Sequence, residues 1–236
     1  MRHIHHWNLV KVITTCSSID HAGNEFKALE FKYMPNGSLE KWLRPCLHQP
    51  RMLNWNQRLD RVTDVANAIH YMHRLYHTPI VPCNLKLSND LLDEDFCARV
   101  SDFGLVKILS PLEVISASLE IRGTIGCVAP EYSQGSKPSI RGNVYSYRIL
   151  LLETFTDKRP TYGAFTDSNS IQSYVKQALT DQVEQIADLI LVLASDNSHS
   201  HSSLISVLQI GLAFSTESPG ERPDMGGVFW ELHAMQ

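Results

Sequence analysis

Apolar residues along the chain follow two rhythms. Across residues 54–76 the positions Leu59, Val62, Val65, Ala66, Ile69 and Met72 recur at three- and four-residue intervals, the period of one buried helix face. Pro79 closes that segment, because proline has no amide N–H and clashes with the preceding turn. Residues 144–155 are apolar at most positions, which predicts a helix buried on most sides. Helical spacing also runs through 171–179, 182–193 and 204–214, and a last helix is expected after Pro223. The second rhythm is shorter. Residues 9–15 and 26–34 predict two strands joined by the polar loop 16–25, and 90–92 with 98–100 predict a hairpin around the acidic turn 93–95. Pro35-Asn36-Gly37 punctuates, and Ser38 is placed to cap a short helix through Leu39, Trp42 and Leu43. Two segments carry no clear period. Residues 105–128, with Ser110, Ser116, Ser118 and Thr124, predict a long loop, and 194–203 predict a surface loop whose His199 and His201 are solvated.

Composition narrows the classes. The 236 residues are 43% hydrophobic, enough for a substantial core and too many for a disordered chain. Lys+Arg 21 against Asp+Glu 25 gives a net charge of −4, with the basic residues scattered, so nucleic acid is not an expected partner. The five cysteines (16, 46, 83, 97 and 127) form no C-x-x-C pair, which argues against a zinc site or a disulfide framework. No apolar run is long enough for a signal peptide or a membrane span, and a reducing, cytoplasmic setting is expected. Neither G-x-S-x-G nor H-E-x-x-H occurs.

The chemistry concentrates between residues 80 and 132, in IVPCNLKLSNDLLD (80–93), SDFGL (101–105) and GTIGCVAPEY (123–132). In order and spacing these resemble the catalytic loop, the metal-binding D-F-G and the A-P-E segment of a protein kinase. The phrases NLVKVITTCSSID, MPNGSLEKWL, VYSYRILLLETFTDKRPT and ESPGERPDM are similar to plant leucine-rich-repeat receptor-like Ser/Thr kinases. The resemblance implies an α+β, protein-kinase-like fold: a mostly helical large lobe over 35–236, and over 1–34 the end of a regulatory helix, two small-lobe strands and the hinge. It further implies ATP and Mg²⁺ as cofactors, since phosphoryl transfer rests on positioned metal ions and charge neutralisation.

By the same resemblance Asp102 and Asn89, thirteen residues apart, are the metal-binding pair, with Gly104 giving the sharp turn after Asp102. Lys86 is the lysine that approaches the transferring phosphoryl group, and Thr124 the hydroxyl that braces it. Phe31, Lys32, Met34 and Leu91 line the nucleotide base. Glu131 and Arg222 form the ion pair that fixes the loop after A-P-E, and Asn143 anchors the catalytic loop.

Several residues depart from the family pattern. Asn84 occupies the position of the catalytic Asp, and a neutral amide is a poor proton acceptor; loss of a positioned base costs about 10²–10⁴-fold in rate. Pro82 replaces a His, Asn143 an Asp, Arg148 a Gly and Cys127 an aromatic residue. Asp90 is expected under the nucleotide base, where the family carries an apolar residue and a carboxylate would be costly. No Gly-rich phosphate loop or V-A-x-K lysine occurs in this sequence. Three readings follow: an impaired kinase-like domain that binds protein partners through its small-lobe surface or loop 105–128, an active ATP-dependent Ser/Thr kinase, or a gene remnant without selected function.

Overall fold

The computed structural model describes residues 4–19, 21, 23–44, 52–74, 78–102, 106–108, 124–163, 165, 170–179, 182–193, 198–213 and 218–236. Its first half runs β1 (Val12–Ile19), β2 (Glu25–Phe31), α1 (Leu39–Leu43), α2 (Trp55–Arg74), β3 (Ile80–Pro82), β4 (Asp90–Leu92), β5 (Ala98–Val100) and β6 (Val106–Ile108). The second half is helical: α3 (Pro130–Ser133), α4 (Ile140–Thr156), α5 (Ile171–Ala178), α6 (Val183–Ile186), α7 (Leu189–Leu193), α8 (Ser198–Leu212) and α9 (Met225–His233).

The centre is α2 and α4. The periodic residues of α2, Leu59 through Met72, are all essentially buried, as are Val144, Ile149, Leu151, Leu152 and Phe155 of α4. Ser139 caps α4 by accepting the Gly142 N–H at 3.0 Å, and Asp157 ends it in a left-handed conformation (φ 53). Helix α9 packs on α2, and α8 packs on α4. Tyr147 crosses the core and donates its hydroxyl to the Val62 carbonyl at 2.8 Å, which satisfies a polar atom that burial would otherwise strand.

Among the described residues the strands pair in three antiparallel two-stranded sheets: β1 with β2, β3 with β6, and β4 with β5. The first hairpin is displaced from the expected spans 9–15 and 26–34. Cross-strand pairing carries β1 through Cys16, Ser17 and Ser18, so that Ile19 faces Glu25. Side-chain burial does not hold that stretch, since every β1 residue after Val12 is exposed. Leu9 and Val10 leave the strand and are buried instead. The Val10 N–H donates to the Val100 carbonyl at 2.9 Å, tying the amino-terminal segment to β5.

Other expectations are corrected. Residues 106–108, placed in a long loop, form β6 against β3; three-residue strands are too short to show alternation. The rest of 105–128 up to residue 123 lies outside the described residues. The span 182–193 is two helices, because the Asp188 N–H bonds the Phe155 carbonyl and its carboxylate accepts from Ile190 N–H and Arg58. The span 194–203 is helical from Ser198, the start of α8, and 194–197 lie outside the described residues. Ser38 holds the cap position of α1 without a side-chain cap bond, while its backbone bridges Leu91. Among the described residues no helix is long and apolar enough to cross a membrane.

Candidate active site

The segment between β3 and β4 carries residues 83–89, and β5 delivers Ser101 and Asp102 beside it. Asp102 itself takes the left-handed turn (φ 61), a conformation costly for a residue with a side chain. Gly104, expected to make the sharp turn, lies outside the described residues, as does Phe103. The Asp102 Oδ2 atom accepts two amide N–H groups, from Asn84 Nδ2 at 2.7 Å and Asn89 Nδ2 at 3.1 Å. Asn89 Nδ2 also donates to the Asn84 carbonyl at 2.9 Å, and Ser101 Oγ to the Asn89 carbonyl at 2.6 Å. Asn84, Asn89 and Asp102 are therefore one hydrogen-bonded cluster.

The donor set suits a divalent cation. The exposed Asp102 carboxylate and the Asn89 side-chain carbonyl are hard oxygen ligands, and Mg²⁺ characteristically takes one or two such groups plus phosphate and water. Among the described residues no cluster of three or more His, Cys, Asp and Glu forms a self-sufficient metal cage.

Lys86 and Thr124 share a cleft of about 220 Å³ with Cys127, Glu153 and Arg159. Thr124 does not brace Lys86 as expected. Its hydroxyl donates to Asn84 Oδ1 at 3.0 Å. Burial pushes the Cys127 thiol up to about 12, so it lines the cleft as a neutral group.

Of the residues expected to line a nucleotide base, Met34 is buried, and the half-buried Phe31 and Leu91 pack against the same core. The segment docks on β4 through Asn36 N–H to the Leu92 carbonyl (3.2 Å) and Leu92 N–H to the Gly37 carbonyl (2.7 Å). Lys32 is exposed, with its ammonium 3.1 Å from Glu94. Asp90, expected beneath the base, faces the core instead. Strand alternation turns Asp90 and Leu92 into the core and leaves Leu91 half-buried on the other face. Both Asp90 oxygens are fully buried without a hydrogen-bond partner among the described residues. Burial, and secondarily the charge of Glu153, raises its pKa well above the usual carboxylate range.

Behind the loop, Asn143 of α4 donates Nδ2 to the Pro82 carbonyl at 2.7 Å and accepts from His73 Nε2 at 2.9 Å. Proline presents no N–H, so its carbonyl is what the anchor meets. A carboxylate at 143 would face that oxygen with a negative charge, whereas the amide supplies a proton. Burial lowers the His73 pKa to about 4, and the neutral ring acts as the donor. A group depressed in the folded state contributes stability above its unfolded pKa, 6.5, that is lost as pH falls toward 4. His73 alone is expected to remove about 3 kcal/mol across that window. The difference in urea midpoint between His73→Gln and the unmodified chain, measured from pH 7 to pH 4, checks this and should shift in favour of the variant as pH falls.

Glu131 at the start of α3 and Arg222 form a two-pronged ion pair, with Nη1 to Oε1 at 2.6 Å and Nη2 to Oε2 at 2.9 Å. Arg222 also donates to the Arg141 carbonyl at 3.2 Å and lies over the Tyr145 ring, 5.1 Å from its centre. Arg148 is fully buried, and burial lowers its pKa to about 9 against the opposing pull of Glu231.

Sequence reasoning missed Arg58, which is fully buried in α2. It donates to Asp188 (2.6 Å), the Thr154 carbonyl (2.8 Å) and the Leu53 carbonyl (3.0 Å). The available signal was its place four residues before Val62, on the apolar face of α2.

Comparison with known proteins identifies the family. The family model described as protein tyrosine and serine/threonine kinase matches residues 1–201. The chain is 41% identical to the receptor kinase-like protein Xa21 of Oryza sativa subsp. japonica, over 100% of its own length and 24% of the relative's. It is 44% identical to a probable LRR receptor-like serine/threonine-protein kinase of Arabidopsis thaliana, over 98% of the chain and 24% of that protein. With the Arabidopsis thaliana LRR receptor-like serine/threonine-protein kinase EFR the identity is 41%, over 93% of the chain and 21% of the relative. The chain thus spans about a quarter of the length of the curated relatives it matches. With its α+β architecture and its Asn89–Asp102 cluster, this chain belongs to the protein tyrosine and serine/threonine kinase family, among the plant leucine-rich-repeat receptor-like kinases.

Proposed function

We propose that this chain is a catalytically impaired kinase-like domain that works through protein partners in the cytoplasm. The observation that carries the reading is Asn84, whose amide occupies the place where transfer to a hydroxyl needs a carboxylate. Its oxygen accepts from Thr124 and its nitrogen donates to Asp102, so both ends are engaged within the protein. A neutral amide cannot take the proton of an attacking hydroxyl, and loss of such a base costs about 10²–10⁴-fold.

The other site residues keep the chemistry of nucleotide binding. ATP with Mg²⁺ would supply the γ-phosphoryl group. Asp102 and Asn89 would hold the cation, Lys86 would offset phosphate charge, and Phe31, Lys32, Met34 and Leu91 would face the base. That retention favours a second reading, an ATP-dependent Ser/Thr kinase. The hairpin β1–β2, exposed along most of β1, is the surface offered to partners. Transfer of labelled γ-phosphate from ATP to protein hydroxyls, run beside Asn84→Asp, separates the readings. Background transfer by the unmodified chain is expected, and robust turnover by it would establish the second reading.

A further inference from the structure

We propose that Asn84 is a latch that holds Asp102 on the catalytic loop without a cation, and so weakens divalent-metal binding at this site. The inference rests on reading residues 84, 89 and 102 as a phosphoryl-transfer site.

Asp102 Oδ2 accepts from Asn84 at 2.7 Å and Asn89 at 3.1 Å. Hydrogen bonds to an ionised acceptor are short and about twice as strong as neutral ones. Asn84 is itself held at its other end, where Thr124 donates to Oδ1 at 3.0 Å. The relay Thr124–Asn84–Asp102 therefore joins three segments: the approach to α3, the loop after β3 and the residue that follows β5. A carboxylate at 84 would set two like charges at hydrogen-bond distance, an arrangement that needs a cation or a proton between them. The amide removes that need. The same amide also competes for the oxygen, because a metal approaching Oδ2 must displace two N–H donors. Asn84 is thus a positioning residue whose neutral charge makes the loop geometry independent of metal.

Thermal melting in excess EDTA and in excess Mg²⁺, without nucleotide, tests the latch. The unmodified chain is expected to melt at the same temperature in both. Asn84→Asp should melt about 5 °C lower in EDTA and recover in Mg²⁺. Adding Asp102→Asn to that variant should restore the EDTA value and abolish the response to Mg²⁺. A Mg²⁺-induced rise in the unmodified chain as large as in Asn84→Asp would overturn the proposal, as would an Asn84→Asp defect that Mg²⁺ leaves unchanged. Should Asn84→Asp fail to fold, Asn84→Ser removes the amide without adding charge. Its Mn²⁺ affinity, read from the electron paramagnetic resonance signal of free Mn²⁺, should be about tenfold tighter than that of the unmodified chain. An unchanged affinity would also overturn the latch. These arms contain no nucleotide, so their failure leaves the impaired-kinase reading standing, and robust phosphate transfer would sink that reading alone.

Discussion

Replacing Asp90 with valine is expected to raise the melting temperature by about 5–10 °C. The carboxyl is fully buried in β4 and neither oxygen has a hydrogen-bond partner among the described residues. A polar group buried that way costs about 1–3 kcal/mol by mutational measure, and filling the space with an apolar side chain adds about 1–2 kcal/mol. Valine suits the site because its branched side chain fits a strand and differs little from aspartate in size.

The gain should also depend on pH. The folded pKa of Asp90 is raised, so the folded state retains a proton that the unfolded chain releases. Its contribution is least unfavourable below the unfolded pKa, about 4, and worsens as pH rises toward the folded value. The advantage of Asp90→Val should therefore be larger at pH 8 than at pH 5. His73 acts in the opposite direction, losing stability as pH falls from 6.5 to about 4. Between about pH 4 and 6.5 the two slopes oppose each other in the parent, and above 6.5 the Asp90 loss is unopposed by His73. Equal melting of Asp90→Val and its parent across this range would show that the carboxyl is satisfied.

The second large effect is a loss. Arg222→Ala should cost about 3–5 kcal/mol, because removing one partner of a buried ion pair leaves the other charge uncompensated. Arg222 is fully buried, and the Glu131 side chain is 14% exposed, so solvent screens the pair only slightly. The arginine also satisfies the Arg141 carbonyl, which the alanine would leave without that donor. Arg222→Lys should lie between, since an ammonium cannot match the two-pronged geometry. Urea denaturation reads this as a lower midpoint, and a midpoint unchanged in Arg222→Ala would contradict the role given to the pair.

What could be read from the sequence follows from the range of each signal. The helices α2 and α4 were legible because their period persists over many turns, and hydrophobic burial is what sets that period. The hairpin of β4 and β5 was legible through its acidic turn. The strands β3 and β6 were not, because three residues give no alternation and their pairing is settled by chain segments far apart in sequence. Motif order named candidate site residues, but not their hydrogen-bond partners. That the Thr124 hydroxyl donates to Asn84 depends on which acceptor tertiary structure brings near. Asp90 was noted as a departure, yet its face was misjudged by one position, and in a strand one position exchanges cleft for core. Arg58 and its partner Asp188 are 130 residues apart, a separation that no local pattern spans.

The account turns on position 84 holding no base. The most direct measurement is the rate of labelled γ-phosphate transfer from ATP in the presence of Mg²⁺, by the unmodified chain and by Asn84→Ala. The two are expected to be equal and at background, since neither an amide nor a methyl group at 84 can take the proton. Robust transfer by the unmodified chain that falls steeply in Asn84→Ala would contradict the account.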